Sequence, residues 1–420
     1  MGKILQHLRI FCAFVGVDSI SARQKRLDES IWNAPLQAKT VLCRRFCVCV
    51  VIFPLDFLKN QKERGLNVMM INLEKEIREQ PGVLYGVIAA NLETVRNIVA
   101  DIKAAGVTNV QLAARGTSDH ACIYAQYLLH TLVGVPCGLA TPSAITKYNG
   151  KLSFAKTLVI GVSQSGKAAD VMSVIERANE TGAITLAITN YPDSPLAKTA
   201  KYHLCCNAGE DSSIAATKTF TSQMMTLALL AAVWADDFRF LAALSGIYND
   251  AAKLLEYMPE KVKELAEARK DMTGGVVLGR GFAYPIACEA HLKILETNGI
   301  KMRGYAVSDF HHGPKAQLHE GDVAFVIALK GAVEDAAIEM INTLVDLKAD
   351  IIVITDDAEL AKREGISALL LPNNSTYEMP DAISAFTAAI TMQLWALELA
   401  LVRGVDPDAT KVLKKVTITK

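Results

Sequence analysis

The chain of 420 residues has no excess charge of either sign: 44 Lys and Arg balance 44 Asp and Glu, a formal net charge of zero. Neither nucleic acid nor an anionic membrane surface is therefore an expected partner, because both need a basic face that dominates the field. Disulfide-like spacing is also missing. The nine cysteines, at 12, 43, 47, 49, 122, 137, 205, 206 and 288, fall irregularly and partly inside apolar runs, as free thiols in a reducing compartment do. The apolar stretch from Phe46 to Leu58 is too short and too interrupted for a membrane span of about 20 residues. Met1 to Val17 shows no small-residue cleavage site, so no secretory signal is expected and the expected location is cytoplasmic. No cluster of His, Cys, Asp or Glu has metal-ligand spacing, and Cys43, Cys47 and Cys49 lack a second pair. Nucleotide fingerprints are absent too: GxxxxGK[ST] does not occur, and Gly279-Arg-Gly281 has no third glycine. No cofactor and no metal are called for.

What is present is a repeat. From Met70 onward, apolar strand runs alternate with amphipathic helix patterns, which predicts parallel sheets covered by helices. Asn109 to Ala114 runs into Arg115-Gly116, and Val276 to Gly279 runs into Arg280-Gly281, 165 positions later. Leu158 to Val162 leads to Gly166, and Val323 to Leu329 leads to Gly331, again 165 positions on. Leu186 to Asn190 and Ile352 to Asp356 are offset by 166. Two copies of one α/β unit are expected, over 70–240 and 241–420, preceded by a leader, 1–69, of unassigned role.

In open parallel sheets ligands sit beyond the carboxyl ends of the strands. There the copies differ. The first carries Thr117, Ser118, Ser163, Gln164, Ser165 and Gly166; the second carries Phe282, Ala283, Leu329 and Lys330. Hydroxyls, an amide and free backbone N–H groups at a strand-to-helix turn suit a phosphate, and Gly166 lets backbone approach closely. The first copy alone is dressed for an anion. In the second, Glu289, Lys293 and Glu296 share one helix face at i, i+4 and i+7, with Leu292, Ile294 and Leu295 expected on its buried side.

Arg115-Gly-Thr-Ser118, Ser163-Gln-Ser-Gly166, Ala208-Gly209 with Ala215-Ala-Thr-Lys218, and His312-Gly-Pro314 occur in the order seen in sugar isomerase (SIS) proteins. Residues 70–420 resemble the isomerase half of glucosamine-6-phosphate synthase and the related amino-sugar phosphate deaminases. The resemblance implies two tandem three-layer αβα sandwiches, a likeness to homodimers that share active sites between subunits, and a sugar-phosphate substrate. It implies that Glu296 moves a proton between C1 and C2 of the open-chain sugar, that Lys293 steadies developing negative charge, and that His312 opens the ring from the partner subunit. It places Lys414 of the basic tail at the position of the synthase's Schiff-base lysine, and Ala216 and Thr217 beside the sugar. Lys167, Ala168, Ala216 and Leu295 depart from the family pattern and leave the identity of the sugar open. Residue 2 is glycine where the synthase's glutaminase nucleophile is a cysteine, so no glutaminase domain is expected. Deaminase, fructosamine-6-phosphate deglycase, synthase subunit and a non-catalytic sugar-phosphate sensor are the four activities within reach, the deaminase first.

Overall fold

The computed structural model describes residues 71–409; the leader and Lys414 lie outside the described residues. Two five-stranded sheets form, both wholly parallel. The first lobe opens with α1 (Asn72–Ala104), followed by β1 (Asn109–Ala113), α2 (Thr117–Leu128), β2 (Cys137–Leu139), β3 (Thr157–Val162), α3 (Ala169–Glu180), β4 (Ile184–Thr189), β5 (Tyr202–Cys205) and α4 (Lys218–Trp234). A short α5 (Phe238–Leu244) leads to the second lobe: α6 (Ile247–Glu267), β6 (Gly274–Gly279), α7 (Ala283–Asn298), β7 (Lys301–Ala306), β8 (Val323–Ala328), α8 (Glu334–Asp346), β9 (Asp350–Thr355), β10 (Ser367–Leu370) and α9 (Pro380–Val402).

The sheet orders are β2-β1-β3-β4-β5 and, read from the opposite edge, β10-β9-β8-β6-β7. Strand for strand these are the same order, so the repeat in the sequence is a repeat in space. The six expected strands are all there within two residues at either end. The four edge strands β2, β5, β7 and β10 were not expected; they are short or only partly buried and so lack the continuous apolar run that marks β3, β4 and β8.

Each sheet has helices on both faces. On the outer faces α3 covers β3 and β4, and α8 covers β8 and β9. The inner helices pack against one another: α1 on α4 and α6, α9 on α6 and α7, and α2 on α7. One apolar core therefore runs through both lobes. Helix α9 is long and apolar enough to cross a membrane, yet 83% of its most apolar stretch is buried inside the protein. Its Trp395 meets Phe325 edge-on at 4.8 Å. All-round hydrophobicity here marks a core helix.

Tyr124 of α2 ties the lobes directly. Its ring lies between Phe282 and Phe386 at 5.5 and 5.7 Å, and its hydroxyl donates to the Ala382 carbonyl at 2.8 Å. Tyr124→Ala should cost about 3–5 kcal/mol, the range for emptying a buried aromatic site, with both lobes lost in one urea transition. A parental midpoint would contradict this account of the inter-lobe core.

Candidate functional site

Strand β3 ends at Val162 and the chain turns through Ser163–Gly166. Gly166 has φ +62, and an added Cβ would lie 2.2 Å from the Ser194 hydroxyl, so only glycine fits. The expectation that this turn opens a helix directly needs correcting: Lys167 and Ala168 intervene, and α3 begins at Ala169. The loop is braced from the neighbouring strand end, where Asn190 N–H donates to the Gln164 carbonyl at 3.0 Å. The Ser163 hydroxyl accepts from Gly166 N–H at 3.2 Å and the Ser165 hydroxyl from Lys167 N–H at 3.3 Å. Both hydroxyl hydrogens are left to be given to a ligand oxygen. Ser118 lies in the first turn of α2, after the end of β1, the strand beside β3. Arg115 is anchored by Asp170 at 2.6 Å.

Ala216 and Thr217 precede α4. Thr217 is wholly buried, and its hydroxyl has no hydrogen-bond partner among the described residues. Its loop is tethered to α1, where Glu76 Oε1 accepts from Ser212 and Ser213 N–H at 2.5 and 3.1 Å. Burial, with Asp211 beside it, pushes Glu76 up to about 7. Lys218 is buried against Glu79 at 2.6 Å.

In the second lobe the place equivalent to the serine loop is lined by carboxylates. Asp356 accepts from Lys330 N–H at 2.7 Å. Asp381 lies behind Gly331, where an added Cβ would sit 2.7 Å from its carboxyl carbon; burial pushes Asp381 up to about 6. Carboxylates thus stand here where the first copy has hydroxyls.

The acid–base cluster lies between the lobes. Glu289 and Lys293 of α7 are 2% and 1% exposed, so this is a buried pair, not a surface one. The burial expected of Leu292, Ile294 and Leu295 holds only for Ile294: Leu292 is half-buried and Leu295 is 42% exposed. The buried face of α7 instead carries the charged residues toward α2. Lys293 Nζ lies 3.4 Å from Glu289 Oε1 and forms a close ion pair with Glu296. The Thr117 hydroxyl, expected at the phosphate, donates to Glu289 Oε1 at 3.1 Å and accepts from Lys293 at 3.1 Å. His120 Nδ1 is 2.8 Å from Glu289 Oε2. Burial opposes the charge on Glu289, but Lys293, His120 and Thr117 outweigh it and hold the carboxyl below its ordinary range. Burial likewise opposes the charge on Lys293, and Glu289 with Glu296 overcomes it and raises the amine. From sequence Glu289 was placed on the charged face of α7 without a role, and His120 was not singled out; the signal was His120 three positions after Thr117, one helical turn along the same face.

His312 follows a short turn, Val307–His311, and is exposed. Among the described residues its ring makes no hydrogen bond or ion pair to this cluster. Among the described residues no group of three His, Cys, Asp or Glu could hold a metal ion.

Comparison with known proteins gives the following. The model of the SIS domain family matches residues 105–233 and again 275–403. A glutamine–fructose-6-phosphate aminotransferase (isomerizing) of Thermococcus kodakarensis is 31% identical over 349 residues, which is 81% of this chain and 57% of the relative; the chain thus spans little more than half of that protein. The C-terminal domain of glucosamine-fructose-6-phosphate aminotransferase from Francisella tularensis shares the fold with a TM-score of 0.73 at 22% identity, over 82% of this chain and 99% of that one. So does glucosamine-6-phosphate deaminase from Thermotoga maritima, with a TM-score of 0.64 at 19% identity, over 83% and 100%.

Because Glu289 titrates lower in the folded than in the unfolded chain, its stabilisation is complete above the ordinary carboxylate value of about 4.3 and is lost as pH falls through the lower folded value. The difference in unfolding free energy between the parent and Glu289→Gln should stay level from about pH 8 to 5 and shrink below about pH 4. A difference that stays level down to about pH 3 would mean that Glu289 titrates alike in the folded and unfolded chains, and one that falls as pH rises above about 4.3 would mean that Glu289 carries no charge in the fold.

Proposed function

The chain belongs to the SIS-domain family, and from that premise we propose that it is a sugar-phosphate isomerase acting on an amino-sugar 6-phosphate such as glucosamine 6-phosphate. The first lobe holds the phosphate through Ser118, Ser163, Gln164, Ser165 and Gly166, and Ala216–Thr217 border the sugar. The observation that carries the reading is that α2, which begins at the end of β1 beside the serine-loop strand β3, binds the Glu289–Lys293–Glu296 cluster of the other lobe through Thr117. Glu296, 22% exposed at its side chain, is the member of the cluster most open to a substrate and is assigned the C2 proton. Lys293 beside it stabilises the enolate-like charge that forms when that proton leaves. Thr117 belongs with this cluster rather than with the phosphate.

The products are a ketose 6-phosphate and ammonia: His312 opens the ring, Glu296 shifts the proton from C2 to C1, and water displaces the amine from C2. His312 comes from a second copy of the chain, in keeping with its exposed position, which makes the functional unit a homodimer. Lys414 stabilises the open-chain sugar. The likeness to the aminotransferase supports a second reading, the same chemistry in reverse as the isomerase half of a synthase supplied with ammonia.

A panel of amino-sugar 6-phosphates and fructosamine 6-phosphates, assayed for released ammonia and amino acid, and fructose 6-phosphate assayed with added ammonia, separates these activities. Ammonia release from an amino-sugar phosphate is expected. Release of amino acid alone makes the protein a deglycase, and no turnover of any of them with retained binding makes it a sensor. Ser163→Ala and Ser165→Ala should each raise KM tenfold or more, since a hydrogen bond to a charged group contributes about 1.5–3 kcal/mol.

Glu296→Gln should lower kcat by about 10²–10⁴-fold with binding little changed. Mixing inactive Glu296→Gln with inactive His312→Asn protein should restore activity, because a mixed dimer contains one site with both parental side chains. With subunit exchange verified by mass spectrometry, absence of recovery would confine His312 to its own chain's site.

A further inference from the structure

The first turn of α2 reaches out of its own lobe. Thr117 and His120 stand on the face turned to α7, and both bind one carboxylate, Glu289. That carboxylate is almost sealed from water at 2% exposure, and both of its oxygens are engaged. Oε1 faces Thr117 and Lys293, and Oε2 faces His120 Nδ1 at 2.8 Å. A charged carboxylate only accepts, so Nδ1 carries the hydrogen and Nε2 the lone pair in the neutral ring. The His291 ring lies 6.2 Å away, tilted by 53°.

We propose that His120 is a positioning residue of the active site, acting on Glu296 through Glu289 and Lys293. Its N–H fixes Glu289 so that Oε1 alone faces Lys293. The ammonium then has hydrogens to spare for Thr117 and Glu296. Without that N–H, Oε2 is buried and unsatisfied, and the nearest donor able to answer it is Lys293. The lysine is drawn toward Glu289 and away from Glu296, so the proton-moving carboxylate loses its partner and its orientation. The inference rests on the function proposed for Glu296. It adds that the lobe holding the phosphate also sets the geometry of the catalytic helix in the other lobe.

The test compares His120→Leu, which removes the donor, with His120→Asn, whose amide can place an N–H near the position of Nδ1. His120→Leu should lower kcat about 10–100-fold, the effect of losing a partner that orients an active-site group, with KM for the sugar phosphate nearly parental. His120→Asn should recover most of the loss. Nitrogen-15 NMR of the ligand-free parent at a pH where the ring is neutral should show His120 protonated at Nδ1, the resonance being assigned by its loss in His120→Asn. Parental kcat in His120→Leu, no recovery in His120→Asn, or a ring protonated at Nε2 would each overturn the proposal. A parent that turns over no sugar phosphate overturns the proposed function and this inference together. Turnover with an unaffected His120→Leu overturns this inference alone.

Discussion

The buried pair of Glu289 and Lys293 is the constraint on which the arrangement of the site depends. Two charges taken out of water cost several kcal/mol each in a real protein, and their attraction repays this only where the remaining lone pairs and protons are satisfied. Here the satisfaction comes from the other lobe, through Thr117 and His120. The lobes cannot slide by a helical turn without taking from Glu289 the donors that answer its buried oxygens. Tyr124 and its aromatic neighbours supply apolar adhesion along the same helix, but the polar contacts determine the register in which α2 meets α7.

That register also explains why duplicated lobes can hold one site of mixed origin. The strand orders are the same in both, yet the loop after β3 offers serines and a glycine turn, whereas the corresponding place after β8 is backed by Asp356 and Asp381. Duplication provided two crevices. Hydroxyls stand in one and carboxylates in the other, the difference on which the proposed phosphate site rests.

Much of this was legible in the sequence because strand runs and glycine turns are local features. β3, β4, β6, β8 and β9 announce themselves by apolar runs, β1 by the turn Arg115-Gly116 that recurs as Arg280-Gly281, and Gly166 and Gly331 recur at one offset. The edge strands did not, since a strand such as β7, Lys301–Ala306, is mixed in polarity and owes its place to pairing with β6. Glu289, Lys293 and Glu296 were readable as one helix face, but not the direction of that face. Leu295 looked like core and is exposed, and the full burial of Lys293 was not foreseen, because the deciding partners, Thr117 and His120, lie more than 160 residues away in the chain. Pairing across such a distance is a property of the packed lobes and leaves no local periodicity.

The central claim is that this cluster removes a proton from the carbon next to a sugar carbonyl. It is tested most directly by incubating the protein with fructose 6-phosphate in heavy water and following the C1 protons by NMR. The account predicts loss of one C1 proton signal to deuterium at a single stereochemical position, at a rate that collapses in Glu296→Gln. C1 protons that persist at the rate of the protein-free control, with fructose 6-phosphate bound, would contradict it.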